Sequence, residues 1–441
     1  MQLRRSGCAA VLALAAAALM CAAQQAARPA AEMTPVKPES VGFSTERLER
    51  LHALMRDAVE HKEVAGVVTL LARHGKVVDY HAYGLRDIAS QTPMTTDTIF
   101  RDYSMTKPVT AVAMMILYEQ GKWLPSDPIA KYVPEFAHLK VYKGVDADGK
   151  MILADPDHAP TMSELMSHTA GFTYGSLGGT PVEQMVFDAH LFESRSLQEF
   201  IDKLAKIPLL YQPGKGWTYS VSMDIEGYIV EKLSGKPLPE FMRENIYAPL
   251  GMKDAGFFVP AEKRSRFATL YWVDPKEGLT TRASGTRIVS SYAAEPTMPS
   301  GGGGMVSTAE DYYRFAQMLG NGGVLDGQRV LAPASVKLMA SNHVPVELLT
   351  GQYGIGYQVM RPGFGYGYNC AVVFDPGAAN LPEGKGTFFW DGAAGTWFWI
   401  DPTNDVVFVG MIQRMGAGPS AENLQYLSRA VVYGALVDPA K

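Results

Sequence analysis

Cysteine is scarce. The chain has three in 441 residues, two of them (Cys8 and Cys21) inside an apolar N-terminal stretch, which leaves only Cys370 beyond it. No disulfide framework can then be built within the main body, and a lone cysteine without a motif reads as a small buried hydrophobe. Basic runs are missing too. Lys plus Arg number 40 against 45 Asp plus Glu, a net charge of −5, and no segment is basic enough to track a phosphate backbone, so nucleic acid is excluded as a partner. The nine histidines contain no His-x-x-x-His or His-x-His pair, and Asp146-Ala-Asp148-Gly149 lacks the downstream oxygen ligands of a calcium loop. No metal is implied, and that loop reads as a turn. No Gly-x-Ser-x-Gly occurs, which argues against a nucleophile elbow. The Gly301 to Gly304 run has no Lys-Ser or Lys-Thr after it and is no phosphate loop; tight packing or mobility beside a cleft suits it better.

Long hydrophobic runs are also few. The stretch from Cys8 to Ala23, preceded by Arg4 and Arg5, falls short of the roughly 20 residues of a spanning helix, and its end at Cys21-Ala22-Ala23 suits signal-peptidase cleavage. Residues 1–23 are therefore read as a removed export signal and 24–40 as a linker, which predicts a periplasmic or secreted protein with no stable membrane span. Ala18 and Met20 fit a lipobox poorly, so lipid attachment at Cys21 has little support.

With 47% hydrophobic residues, the rest can bury a large core. Apolar residues at helical spacing predict a helix from Ser44 to Glu60, and β-patterned runs at 64–72 and 76–83 around Arg73-His74-Gly75 predict an antiparallel hairpin. From Ser104 to Gln120 the pattern is helical and apolar around most of its circumference, so that helix belongs at the centre of the molecule. The stretch 123–268 reads as mostly helical, with a capping box at Thr161-Met-Ser-Glu164 and amphipathic segments at 197–207 and 222–233. A helix follows at 309–319, β-pattern returns at 354–360, 387–390, 396–401 and 406–413, and a helix closes the chain at 422–437. Strands at both ends with helices between them predict one α+β domain over 41–437. Its α/β lobe takes 41–110 and 290–437, and its helical lobe 111–289.

Ser104-Met105-Thr106-Lys107 is the chain's single Ser-x-x-Lys. About one such match is expected by chance, so its context carries the weight. It opens the central apolar helix, which places serine and lysine one turn apart on one face. Burial and the positive helix end disfavour a charged lysine, so a neutral Lys107 can take the proton of Ser104. The bland alternative is a capping serine beside a solvent-facing lysine.

Further along come Leu165-Met-Ser-His168-Thr-Ala-Gly171, Pro213-Gly214 with Tyr219-Ser-Val221, Ser300-Gly-Gly-Gly-Gly304 and Trp390-Asp-Gly392-Ala-Ala-Gly395. In this order the motifs resemble those of β-lactamase-related serine hydrolases, the class C β-lactamases and penicillin-binding proteins, and among them most closely the family VIII carboxylesterases. The resemblance implies a β-lactamase/transpeptidase-like fold, an antiparallel sheet flanked by helices with an inserted helical lobe, and an active site between the two. It also implies that Tyr219 works beside Ser104 and Lys107 as a proton relay, with Lys107 or Tyr219 as the formal base, and that the backbone amides of Ser104 and Ala393 form the oxyanion hole. His168 would be structural. Two positions depart from the β-lactamase pattern: Trp390 stands where a cation usually helps hold a carboxylate, and Val221 where an asparagine is usual. Both departures favour uncharged acyl groups, with Trp390, Val221 and Gly392 at the substrate and Gly392 letting the strand approach it closely. The resulting expectation is a cofactor-free carboxylesterase acting through an acyl-enzyme on a small-molecule ester or amide. The alternatives are a β-lactamase or D,D-peptidase, and a non-catalytic ligand-binding protein on the same fold.

Overall fold

The computed structural model describes residues 33–175, 178–281, 292–350, 359–415 and 419–440. The expected export signal, most of the linker and residues 354–358 of one expected strand lie outside the described residues.

Helix α1 (Thr45–Glu60) begins where Ser44 caps it, accepting a hydrogen bond from the Arg47 amide at 3.3 Å. Its apolar positions Leu48, Leu51, Met55 and Ala58 are buried. Strands β1 (Gly66–Arg73) and β2 (Lys76–Asp87) form the expected hairpin, and β3 (Thr92–Pro93) extends it. The C-terminal part adds β4 (Phe364–Tyr366), β5 (Ala371–Val373), β6 (Phe388–Asp391), β7 (Trp397–Asp401) and β8 (Val406–Met411). The sheet runs β4-β5-β6-β7-β8-β1-β2-β3. β8 lies antiparallel to β1 in a register from Val68 opposite Met411 to Arg73 opposite Val406, so the two ends of the chain share one sheet.

Every residue of β1 is buried because helices cover both faces of the sheet. Val68, Leu70 and Ala72 face a core shared with helix α2 (Thr106–Glu119) and helix α4 (Ala309–Gly320); Val67 and Leu71 face α1 and the closing helix α5 (Pro419–Ala435). Helix α2 is buried at ten of its first eleven positions and more, as its apolar circumference requires. Helix α3 (Ser222–Ser234) packs against it from the helical part of the chain.

Three readings change. The middle of the chain is not all helical: Val141–Val145 and Met151–Ala154 pair as a hairpin, with the Asp146 carboxylate accepting from the amides of Asp148 and Lys150 at 3.0 and 2.9 Å across its turn. Val145, Ile152 and Leu153 are exposed there, so no alternation of apolar and polar residues marks the strands. Strands β4 and β5 are three residues each, too short for a readable period. Ser104 sits within a 3-10 turn (Tyr103–Met105) that precedes α2, not in the α-helix itself. Among the described residues, no helix is long and apolar enough to cross a membrane.

Candidate active site

The serine turn is held through both the backbone and the side chain of Asp102. The Asp102 amide donates to Met305 O at 3.0 Å and the Asp102 carboxyl accepts from Ser307 Oγ at 2.8 Å. Tyr103 then adopts a left-handed conformation, with φ of 44°, unfavourable for a residue with a Cβ and sustained only because its surroundings fix it. The next residue is Ser104. Burial pushes the Asp102 carboxyl up to about 8, against the opposing Ser307 hydrogen bond.

Lys107 is 1% exposed. Its Nζ donates to Ser104 Oγ at 3.1 Å and to Gly302 O at 2.6 Å, and it lies 4.6 Å from the centre of the Tyr219 ring. Burial lowers its pKa to about 7, partly offset by the carboxylates of Asp224, Asp391 and Glu226. Near neutral pH a large share of the amine is therefore neutral and able to accept a proton.

The acceptor on Lys107 comes from the glycine run, whose role is tight packing. A Cβ on Gly301 would sit 2.3 Å from Met223 O, and one on Gly302 would meet the Tyr174 hydroxyl at 2.9 Å and Asp224 Oδ2 at 3.0 Å. On the far side of this run Asp224 Oδ1 accepts from Ser300 Oγ at 2.6 Å and from the Gly302 amide at 3.2 Å. Asp224 thus fixes the loop that fixes Lys107. Two residues further along α3, Glu226 accepts from Asn369 Nδ2 at 2.7 Å, and burial pushes its carboxyl up to about 8. Sequence reasoning singled out neither acid. Helix α3 is so deeply buried that its acids face inward, where an amphipathic reading assigns them to a polar face.

Tyr219 makes a hydrogen bond with Ser104 and accepts one from Trp390 Nε1 at 3.2 Å, with the two rings 5.5 Å apart. Burial raises its phenol above the ordinary value in spite of those two bonds. The phenolate is therefore disfavoured, and of the two groups left open as the base, Lys107 is the one whose environment suits it. His168 lies behind Tyr219, with ring centres 4.9 Å apart; its Nδ1 accepts from the Ser220 amide at 3.2 Å, and burial and Lys107 hold its pKa well below the usual range. A neutral imidazole there braces the tyrosine, in the structural role read from the sequence.

Ser104, Tyr219, Trp390 and Ala393 line one cavity of about 220 Å³, closed further by Val359, Phe364, Leu381 and Phe389. A larger depression of about 260 Å³ around Phe136, Lys140 and Pro160 has no serine, threonine or cysteine in its lining. Beyond β6 the Gly392 amide donates to Thr396 O at 2.7 Å and the Gly395 amide to Gly392 O at 2.8 Å, a turn that leaves Ala393 exposed beside Ser104.

Two residues expected at the substrate, Val221 and Gly392, are not among those lining the cavity. Val221 is fully buried in the core at the start of α3 and is not part of the cavity lining, because its backbone turns the chain into the helix while Tyr219 points at the serine. Gly392 is needed for a different close approach. A Cβ there would lie 2.3 Å from Asp102 O and 2.3 Å from Thr396 Oγ1, so glycine lets the chain just past β6 press against the serine turn. Gly392→Ala is expected to lower stability by about 1–3 kcal/mol and to reduce kcat at least as much as it affects KM. Thermal unfolding and steady-state kinetics would check both.

The family model described as beta-lactamase matches residues 51–433. The chain belongs to the beta-lactamase family. It is 32% identical over 386 residues to Esterase EstB of Burkholderia gladioli, covering 83% of this chain and 91% of that one. Among solved structures it is similar to EstCE1, described as a hydrolase with promiscuous acyltransferase activity, with a TM-score of 0.73, 27% identity and coverage of 88% and 98%. Simvastatin synthase LovD of Aspergillus terreus shares the fold, with a TM-score of 0.75 at 22% identity over 89% of this chain and 99% of that one. The protein is thus a serine hydrolase of the β-lactamase/transpeptidase-like fold, related to esterases.

Proposed function

We propose that this beta-lactamase family member is a carboxylesterase for small esters with uncharged acyl groups. The observation that carries the reading is the wall of the cavity beside Ser104. Trp390, which the motif resemblance sets where β-lactamases carry a carboxylate-binding cation, donates its indole N–H to Tyr219. Phe364, Leu381, Phe389 and Val359 continue the apolar lining. The guanidinium in the lining, Arg429, is engaged by the fully buried Glu383 carboxylate, while Asp391 adds an acid to the same lining. An anionic acyl group would meet a neutralised cation and a carboxylate, whereas a compact uncharged one loses only water.

The chemistry follows from the proton inventory. Neutral Lys107 takes the proton of Ser104 as Oγ attacks the ester carbon, and the amides of Ser104 and Ala393 hold the oxyanion. Collapse expels the alkoxide, which takes a proton from the Tyr219 hydroxyl; the Lys107 ammonium returns one to the phenolate. Water then enters by the same route in reverse roles and releases the acid.

The test is turnover of a short-chain p-nitrophenyl ester beside that of a chromogenic cephalosporin. Rapid ester cleavage with little β-lactam opening is expected, and Trp390→Lys should lower ester turnover by about tenfold or more as the Tyr219 hydrogen bond and the apolar wall are lost. Preferred cleavage of the cephalosporin would instead make the protein a β-lactamase or peptidase, and inertness toward both would favour ligand binding without catalysis.

A further inference from the structure

On the face of the sheet away from Ser104, three potential ligands meet beneath α1. Asp79, His81 and Tyr83 alternate along β2, opposite Leu71, Thr69 and Val67 of β1; Leu71 and Val67 pack into the core under α1 and α5. From α1, His52 reaches down so that its Nε2 lies 2.6 Å from Asp79 Oδ2. His81 Nδ1 lies 3.0 Å from the same oxygen. One atom from each of the three residues falls within 4.8 Å of the others, and the two imidazole rings are 4.6 Å apart. Glu49, one turn before His52, places a carboxylate oxygen 3.4 Å from His52 Nδ1.

Asp79 is costly as it stands. It is 4% exposed, and while Oδ2 serves both histidines, Oδ1 is buried with no hydrogen-bond partner. Thr69 Oγ1, across the strand pair from His81, and the Tyr83 hydroxyl are also buried and unpartnered; the Tyr83 ring lies 6.1 Å from that of His81 and 6.3 Å from that of His52. Orphaned polar atoms gathered in an otherwise apolar interface call for a group that satisfies them.

We propose that His52, Asp79 and His81 form a binding site for a divalent cation of the zinc class, remote from the active site and pinning α1 to the sheet. Two imidazole nitrogens and one carboxylate oxygen suit zinc better than the oxygen-seeking calcium or magnesium. His81, half exposed, leaves the site open to solvent for entry of the ion and for a water as fourth ligand. The pair is invisible to motif spacing because its histidines come from a helix and a strand 29 positions apart in the sequence.

Titration calorimetry of the full chain with zinc chloride tests this, beside His81→Ala and, as a control, His61→Ala at an exposed histidine outside the cluster. Wild type and His61→Ala are expected to bind one equivalent and to unfold at a higher temperature with zinc. Losing an outer partner of a metal ligand already costs on the order of 10- to 100-fold in affinity, so His81→Ala should lose at least that much. Cobalt should give a visible d–d absorption band in wild type that His81→Ala lacks. Equal zinc affinity in wild type and His81→Ala, or no zinc binding by wild type, would overturn the proposal.

Discussion

Alanine at position 104 is expected to reduce ester turnover by on the order of 10⁴-fold or more, to the level that binding and the oxyanion donors alone sustain. The fold should hardly notice. The Ser104 hydroxyl bonds Lys107 and Tyr219; when it is removed Nζ keeps its 2.6 Å bond to Gly302 O and the Tyr219 hydroxyl keeps the bond from Trp390 Nε1, so neither buried group is orphaned. The 3-10 turn is fixed by Asp102, Met305 and Ser307 through contacts that do not involve the serine hydroxyl. A thermal midpoint within a few degrees of wild type should therefore accompany the loss of activity, with loss of labelling by a fluorophosphonate in an intact-mass experiment. Full activity in Ser104→Ala protein would refute a serine acyl-enzyme outright, while lost activity with a collapsed midpoint would point to structural damage.

The parts of this site legible in the sequence are those that chemistry spells locally. Ser104 and Lys107 are three residues apart on one apolar run, and the structure brings them within 3.1 Å. Tyr219, Trp390 and Ala393 lie far away in the chain, and only the order of motifs announced them. The strand pattern that returns at the C-terminus placed β6, β7 and β8 within a residue or two, because buried strands rich in Trp, Phe and Val leave little other choice. What stayed hidden is what burial inverts. Asp224 and Glu226 read as the polar side of a helix, yet both are fully buried behind Lys107. Gly392 read as a concession to substrate, while the atoms that exclude a side chain there belong to Asp102 and Thr396. Such constraints arise between elements distant in sequence, and no local period records them.

Methionine at position 107 is expected to remove catalysis and to strengthen the fold at neutral pH. Acylation should fall by on the order of 10²- to 10⁴-fold, the usual contribution of a positioned base. In wild type kcat/KM should rise with pH through about 7, where the buried amine gives up its proton, and this inflection should disappear in Lys107→Met. The stability effect follows from the same shift. The folded-state pKa of Lys107, about 7, lies below its ordinary value of 10.5, so between those limits the unfolded chain holds a proton that the native protein does not. Native stability therefore rises with pH across that window and carries the full penalty below it. Methionine matches the length of the lysine stem, suits a site whose neighbours include the Tyr219 and Tyr174 rings, and has no charge to desolvate. Against it stands the loss of the donor to Gly302 O, although Asp224 keeps its bonds to Ser300 and the Gly302 amide. The balance should favour Lys107→Met by about 1–2 kcal/mol at neutral pH, narrowing toward pH 10 as wild type recovers. Urea unfolding at pH 6.5 and pH 9.5 reads both signs. A variant less stable than wild type at the lower pH, or a gap that widens as pH rises, would mean that Lys107 is held charged in the native state and is not the base that opens the reaction.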